Sequence, residues 1–245
     1  MKETIKNILK FSFFGAYENF RDKKLLKQRL KEQNQIISEY IKTNTIKKLQ
    51  IGCGSNIYSG WLNTDLNNSK KIAFLDAGDQ FPIESESFDY IYSEHLFEHL
   101  TITQQLNMLN EGERILKKDG VMRIATPSLD FLSNLYTDSS SKKNQEYVKW
   151  AVSSSPYLKS VKDGVMDDST HFCYVINNFF KAWGHQMIHN YNSLKLLSFQ
   201  SGYSEVRACS VGESEISDLK NIERHGSIIP QEMNLMETMV VELIK

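Results

Sequence analysis

Lys47-Lys48-Leu49-Gln50-Ile51 running into Gly52-Cys53-Gly54-Ser55-Asn56 is the stretch that decides the fold. A short apolar strand is cut by two glycines one residue apart. Glycine tolerates positive φ and carries no Cβ, so the chain can turn tightly and its backbone can come close to a ligand. In α/β proteins, ligands bind outside the carboxyl ends of the strands, which is where this turn would lie. An isolated G-x-G is equally compatible with an ordinary turn. It is not the G-x-G-x-x-G of dinucleotide sites, because Ile57 stands where the third glycine would be.

Downstream, strands and helices alternate. Trp61 to Leu66, Ile72 to Leu75 and Phe88 to Ser93 read as strands. Thr103 to Leu116 reads as a helix closed by Lys117-Lys118-Asp119-Gly120, and Val121 to Ala125 as a fifth strand stopped by Thr126-Pro127. This alternation predicts a parallel α/β sheet. Upstream, Leu25, Leu26, Leu30, Ile36, Ile37, Tyr40 and Ile41 recur at helical spacing over residues 17 to 44. Residues 130–190 read as a helical insertion over the sheet's carboxyl edge. Asn192 to Gln200 is a further helix, Glu205 to Cys209 and Thr238 to Ile244 are two last strands, and residues 212–235 are a long polar connection. The expected organisation is one domain over 1–245, with an N-terminal helical segment at 1–45 and a cap at 130–190.

Two carboxylates follow the glycine turn in order. Asp65 ends the second strand, where a carboxylate can accept ribose hydroxyls, and Asp76, before Ala77, ends the third, where it can meet the polar edge of adenine. Aspartate at a strand end is also a common turn former. Asp65 lies only eleven positions after Gly54. A parallel crossover normally needs a dozen or more residues, so the first helix is expected to shrink to a turn and one sheet face is left for the N-terminal helix to cover.

Ile51-Gly52-Cys53-Gly54-Ser55-Asn56, Gly60-Trp61-Leu62-Asn63-Thr64-Asp65, Asp76-Ala77 and Ser87-Phe88-Asp89-Tyr90-Ile91-Tyr92-Ser93-Glu94-His95-Leu96-Phe97-Glu98-His99-Leu100 resemble, in order and spacing, the successive motifs of class I methyltransferases dependent on S-adenosylmethionine (SAM). The resemblance covers roughly residues 47 to 127, with a weaker echo in Tyr191 to Val206. It implies a Rossmann-like fold whose mostly parallel seven-stranded sheet has an antiparallel last strand and a helical insertion after strand five. It implies SAM as cofactor and methyl transfer to a small-molecule or glycan acceptor, at a hydroxyl. Gly52, Cys53 and Gly54 would approach the methionine part, Asp65 and Leu66 the ribose, and Asp76 and Ala77 the adenine. Ser93 and His95 would face the sulfonium and the acceptor. The Gly-Trp-Leu-Asn-x-Asp and Glu-His-Leu stretches resemble a bacterial subgroup associated with surface-polysaccharide biosynthesis.

Methylating a hydroxyl benefits from a general base, and histidine is the usual one near neutral pH. His95, His171, His185 and His189 are the candidates, with His95 and His171 foremost; Asp167-Asp168-Ser169-Thr170 before His171 offers a carboxylate or simply a polar turn. Glu98 and His99 read equally as helix capping and packing. His185 and His189 are four apart but lack the H-E-x-x-H pattern, so no metal is expected. Tyr174, Phe179, Phe180 and Trp183 form either core or an aromatic wall for a sugar ring. Glu223-Arg224-His225-Gly226 forms either a solvated loop or an arm whose Arg224 meets an anionic substrate.

Composition excludes several classes. Apolar residues make up 40% and charged residues 24%, with a net charge of −1, which gives no field to draw the chain to nucleic acid. Cys53, Cys173 and Cys209 form neither a disulfide framework nor a zinc pattern and suit a reducing cytoplasm. No window offers the roughly 20 apolar residues of a membrane span, and Ile5 to Phe14 lacks a signal peptide's cleavage site. The missing third glycine and the short crossover disfavour a nicotinamide dehydrogenase. A non-catalytic protein that kept the fold as a binding module is the remaining alternative, and fold alone does not decide against it.

Overall fold

The structure is a computed structural model and describes residues 28, 30–67, 69, 71–159 and 170–245. The readings of Ile5 to Phe14, of Leu25 and Leu26, and of Asp167-Asp168-Ser169 before His171 lie outside the described residues.

Seven strands form one sheet: β1 (Lys48–Ile51), β2 (Leu62–Asp65), β3 (Ala73–Phe74), β4 (Phe88–Glu94), β5 (Leu116–Pro127), β6 (Glu205–Cys209) and β7 (Thr238–Ile244). Their spatial order is β3-β2-β1-β4-β5-β7-β6. β1 pairs in parallel with both β2 and β4, and β7 runs antiparallel to both of its neighbours. This is the Rossmann-like methyltransferase arrangement expected from the sequence. At the centre, Leu49, Gln50 and Ile51 are all buried, as a parallel strand covered on both faces must be. The sheet grows leftward through β2 and β3 and then jumps to β4, so the carboxyl ends of β1 and β4 flank the point where the strand order reverses. That crevice is where doubly wound sheets bind ligands.

The helices are α1 (residues 30–43), α2 (Ile102–Ile115), α3 (Leu129–Thr137), α4 (Lys142–Ser154), α5 (His171–Lys181), α6 (Tyr191–Gln200) and α7 (Gln231–Glu237). No helix separates β1 from β2; residues 52–61 make the crossover as turns. α2 begins with a full capping box, in which Thr101 and Gln104 satisfy each other's backbone amides. It ends at Ile115 and β5 begins at once, five residues earlier than the glycine stop suggested. Leu116 already pairs with Phe88, and the register shifts between Phe88 and Tyr90 to absorb the extra residues.

The two sheet faces are covered differently. Side chains alternate along β5, so Met122 and Ile124 join Leu49, Ile91, Met108 and Leu194 in one core with α2 and α6. Ile37 of α1 lies in this same core, and Tyr40 stacks on Phe88 with ring planes 6° apart. The helical segment therefore shares a face with α2 and α6; the other face is covered by the chain after β6. There, Trp61, Tyr92 and Val121 pack against Leu219 and Ile222. A third core belongs to the insertion: Phe131, Leu135, Tyr147, Val148, Val175 and Phe179 from α3, α4 and α5, joined by Met233 of α7. Among the described residues, no helix is long and apolar enough to cross a membrane.

Candidate active site

The glycine turn is built for close approach. Gly52 and Gly54 take φ of +71° and +52°, in the left-handed region that other residues rarely enter. A Cβ on Gly52 would fall 2.8 Å from Leu96 Cδ2, so the turn is pressed against the residues that follow β4. A Cβ on Gly54 would meet nothing within 4 Å, which leaves its backbone facing open space. The Gly54 amide donates to Asp65 Oδ2 at 2.9 Å, and the Asn67 amide to Asp65 Oδ1 at 2.9 Å. Asp65 thus ties the end of β2 to the glycine turn and holds its carboxylate at the crevice. Leu66, next to it, is exposed.

Asp76 Oδ1 accepts from the Gly78 amide at 2.8 Å, and Asn107 of α2 donates to the Ala77 and Asp79 carbonyls at 2.9 and 2.8 Å. Asp76 is therefore a turn former and, through the same turn, a carboxylate fixed beyond β3. Ser93 is fully buried in β4, and its Oγ has no partner among the described residues. Cys53 is buried; that burial, followed by the Asp65 charge, pushes its thiol up to about 11. An adenosine-methionine conjugate fits this set: an open backbone at Gly54, two anchored carboxylates in strand order, and an unsatisfied hydroxyl at Ser93.

Past β4 the chain turns through His95, whose φ of +47° aims the ring out of the sheet. A non-glycine residue in this region is held there by its surroundings, and such residues cluster at functional sites. His95 Nδ1 lies 3.1 Å from Glu98 Oε1, and Thr126 Oγ1 donates to Glu98 Oε2 at 3.0 Å. Burial would raise the Glu98 carboxyl, but the His95 hydrogen bond and charge hold it below the usual carboxylate range. Glu98 is then acceptor-only, and the Nδ1 proton belongs to His95. The His95 pKa moves the opposite way: burial lowers it, while the Glu98 bond and the charges of Glu98, Glu237 and Glu94 together raise it above the ordinary histidine value. His95 Nε2 is buried without a partner among the described residues.

His95 and Glu98 stand at one end of a cavity of about 540 Å³. Its walls come from the insertion and from the late connection: Tyr147, Trp150, Phe179 and Trp183 on one side, Ile228 and Ile229 on the other. His99, His185, His225 and Glu237 also line it, as do Ser154, Ser155 and Asn178. The His225 ring stacks on His95 with centroids 3.8 Å apart, and its Nε2 lies 3.2 Å from Glu237 Oε1. The Tyr147 hydroxyl donates to Glu237 Oε2.

The other candidates fall in different places. His171 opens α5 and is not among the residues lining this cavity. His185 and His189 share no helical face, because both lie in the irregular chain between α5 and α6. His189 is buried between Ser193 and Gln105, at 2.9 Å from each, and its pKa is lowered by burial. His185 instead meets His99. Of the aromatic group, Phe179 is core and cavity wall at once, Trp183 lines the cavity while 44% exposed, Tyr174 packs on the insertion core, and Phe180 faces outward.

The 212–235 connection is fixed in place by groups that sequence reading passed over. Arg123, fully buried in β5, pairs with Glu223 Oε1 at 2.6 Å and Glu242 Oε1 at 2.7 Å. Glu223 Oε2 accepts from the Gly212 amide at 2.9 Å. Glu94, at the end of β4, accepts from the Arg224 and His225 amides at 2.8–3.0 Å. Arg224 lies over the Tyr58 ring at 5.6 Å. The segment is therefore a packed arm that carries His225 to His95. A charged residue in the middle of a strand was the available signal, since Val121-Met122-Arg123-Ile124 interrupts an apolar run.

Residues 49–124 match a family model described as a methyltransferase domain. The matched span runs from β1 through most of β5 and contains every motif of the glycine-turn crevice. Over these residues the chain is similar to a methyltransferase domain. Among solved structures, a SAM-dependent methyltransferase from Archaeoglobus fulgidus aligns at 14% identity and TM-score 0.45, over 89% of this chain and 94% of that one. Another SAM-dependent methyltransferase, from Mesorhizobium loti, aligns at 11% identity and TM-score 0.44, over 82% and 92%. PKMT2 from Rickettsia typhi, in complex with AdoHcy, aligns at 13% identity and TM-score 0.41, over 81% and 49%. No curated protein matches the chain.

Proposed function

We propose that this methyltransferase-domain protein methylates a hydroxyl of a small acceptor held in the cavity beside His95, with His95 as the general base. The observation that carries the reading is the His95–Glu98 pair: an imidazole whose Nδ1 is fixed by a buried carboxylate and whose Nε2 is buried, unpartnered and on the cavity side of the sheet. Bound SAM supplies an electrophilic methyl group on a positively charged sulfur. Gly52 and Gly54 admit its methionine part, Asp65 receives the ribose hydroxyls, and the Asp76–Ala77 turn receives the adenine. The acceptor oxygen forms its bond to the methyl carbon as the carbon–sulfur bond breaks, and its proton passes to His95 Nε2. Glu98 stabilises the imidazolium so formed. The walls exclude water and fix the approach of the two reactants, and alignment of this kind recovers about 7–11 kcal/mol of a barrier.

The cavity suits an acceptor with a polar, reacting group and an apolar body, because aromatic and aliphatic side chains such as Tyr147, Trp150, Phe179 and Ile229 line it together with His95 and Glu98. A glycosyl acceptor, and with it a place in polysaccharide assembly, is the second reading. It is favoured by the exposed indole of Trp183, which packs edge-on against the exposed ring of Tyr157 and offers a flat face at the mouth. Action within a single domain in a reducing cytoplasm completes the proposal.

Titration calorimetry with S-adenosylhomocysteine should show one site per chain; no heat and no thermal shift would sink the reading. Acceptors can then be screened by S-adenosylhomocysteine release. With an acceptor in hand, His95→Ala should slow methyl transfer by about 10²-fold or more, the contribution of a general base. An unchanged rate would remove His95 from the chemistry.

A further inference from the structure

We propose that Glu98, His99 and His185 form a binding site for one divalent first-row transition-metal ion in the wall of the cavity. One carboxylate oxygen and one nitrogen from each ring lie within 4.8 Å of one another, and His99 Nε2 stands 4.0 Å from Glu98 Oε1. The two imidazoles meet edge to face, with centroids 4.8 Å apart and planes at 82°, so their in-plane lone pairs can converge on one point. Two imidazoles and a carboxylate are the donor set of open zinc and non-haem iron sites, which keep at least one position free for another ligand. Donors at about 2.0–2.1 Å from a tetrahedral ion are roughly 3.4 Å apart, so an ion would draw these three together by small side-chain rotations.

The surroundings hold the donors ready. The His185 Nδ1 proton goes to the Phe179 carbonyl at 2.6 Å, which leaves Nε2 as the lone pair. An imidazole that ligates a metal commonly donates its other nitrogen to a carbonyl in this way. The Glu98 carbonyl accepts from the Gln186 and Met187 amides at 2.7 and 3.2 Å, clamping the chain after His185 onto the turn that carries Glu98 and His99. Trp183 takes a φ of +57° to make the preceding bend, a conformation that a bulky residue adopts only when its surroundings impose it. Glu98 is buried, and a buried carboxylate gains from positive charge beside it. All three donors line the cavity.

A second trio, His95, His225 and Glu237, also lies within reach of a single ion. Its two rings are stacked at 3.8 Å with planes only 32° apart, so their lone pairs run side by side. The edge-to-face rings of His99 and His185 carry no such constraint. The ion therefore belongs to the first trio. Its free position would take an acceptor oxygen, a clause that rests on the proposed function; metal binding itself does not.

The test uses the full chain, stripped with EDTA and titrated with Co²⁺ while its visible absorption is followed. One Co²⁺ per chain is expected, with ligand-field bands that Zn²⁺ bleaches and Mg²⁺ leaves unchanged. His99→Ala and His185→Ala should each weaken Co²⁺ binding at least tenfold. S-adenosylhomocysteine titrated into every variant reports the fold and the crevice separately. If S-adenosylhomocysteine binds and Co²⁺ does not, or if Co²⁺ binds both variants as tightly as the parent, the metal site is wrong while the methyl-transfer reading stands. If Co²⁺ binds and S-adenosylhomocysteine does not, the reverse holds.

Discussion

Asp65 is fixed in the fold by both carboxylate oxygens and keeps acceptor capacity to spare. Its two oxygens already accept the Gly54 and Asn67 amides, yet each carboxylate oxygen can accept more than one hydrogen bond. The ribose hydroxyls would add to these contacts without displacing them. Replacing Asp65 by Ala is expected to weaken S-adenosylhomocysteine binding roughly ten- to a hundredfold, since a hydrogen bond to a charged group contributes about 1.5–3 kcal/mol. Calorimetry on the variant checks this, with far-UV circular dichroism to show that the fold survives. An unchanged dissociation constant would place the ribose elsewhere. His95 presents the same double duty: its positive φ is a local cost, borne because the turn directs the ring into the cavity.

At the scale of elements, the buried Arg123 joins β5, β7 and the arm that follows β6. Burial would lower its pKa, but Glu223 and Glu242 more than compensate and keep the guanidinium charged. Removing one member of such a group leaves the others as uncompensated buried charges, which costs about 3–5 kcal/mol. Arg123→Met should therefore lower the unfolding free energy by that amount in a denaturant titration. The triple change Arg123→Met, Glu223→Leu, Glu242→Leu should cost much less, because it removes the desolvated charges along with their attraction. A single variant as stable as the parent would mean that the Arg123 ion pairs contribute nothing to holding the arm. Glu94 adds a second fastening through the Arg224 and His225 amides. Two separate anchors on one arm explain how His225 comes to lie on His95.

Across the whole molecule, the glycine-turn crevice and the cavity sit on the same edge of the sheet but are assembled from different parts of the chain. The crevice comes from β1 to β4; the cavity needs α4, α5 and the arm. A ligand confined to the crevice should stabilise the folded state by mass action alone. At a hundredfold excess over its dissociation constant, S-adenosylhomocysteine is expected to add about 2.7 kcal/mol, which for a chain of this size raises Tm by roughly 5–10 °C. Differential scanning fluorimetry measures it, and the shift should grow with the logarithm of ligand concentration. A shift that plateaus at low ligand would show that folding and crevice binding are not linked in this way.

The sequence by itself determined the strand order's raw material: short apolar runs, the glycine turn, and Asp65 and Asp76 at strand ends. These are local signals, set by side-chain period and by glycine's freedom at Gly52 and Gly54, so they survive without knowledge of contacts. It also implied the loss of the first crossover helix, because eleven positions cannot hold one. The tertiary structure alone decided which histidines meet. His185 was four residues from His189 and far from His99 along the chain, yet it packs on His99, since the bend at Trp183 and the amides after His185 turn the chain back to Glu98. His225 reaches His95 because Arg123 and Glu94 bind the arm, and an ion pair across 100 residues leaves no period in a sequence. The glycine-turn crevice is built from consecutive strand ends and can be read from left to right; the cavity depends on long-range charge pairing and packing, which the chain settles only on folding.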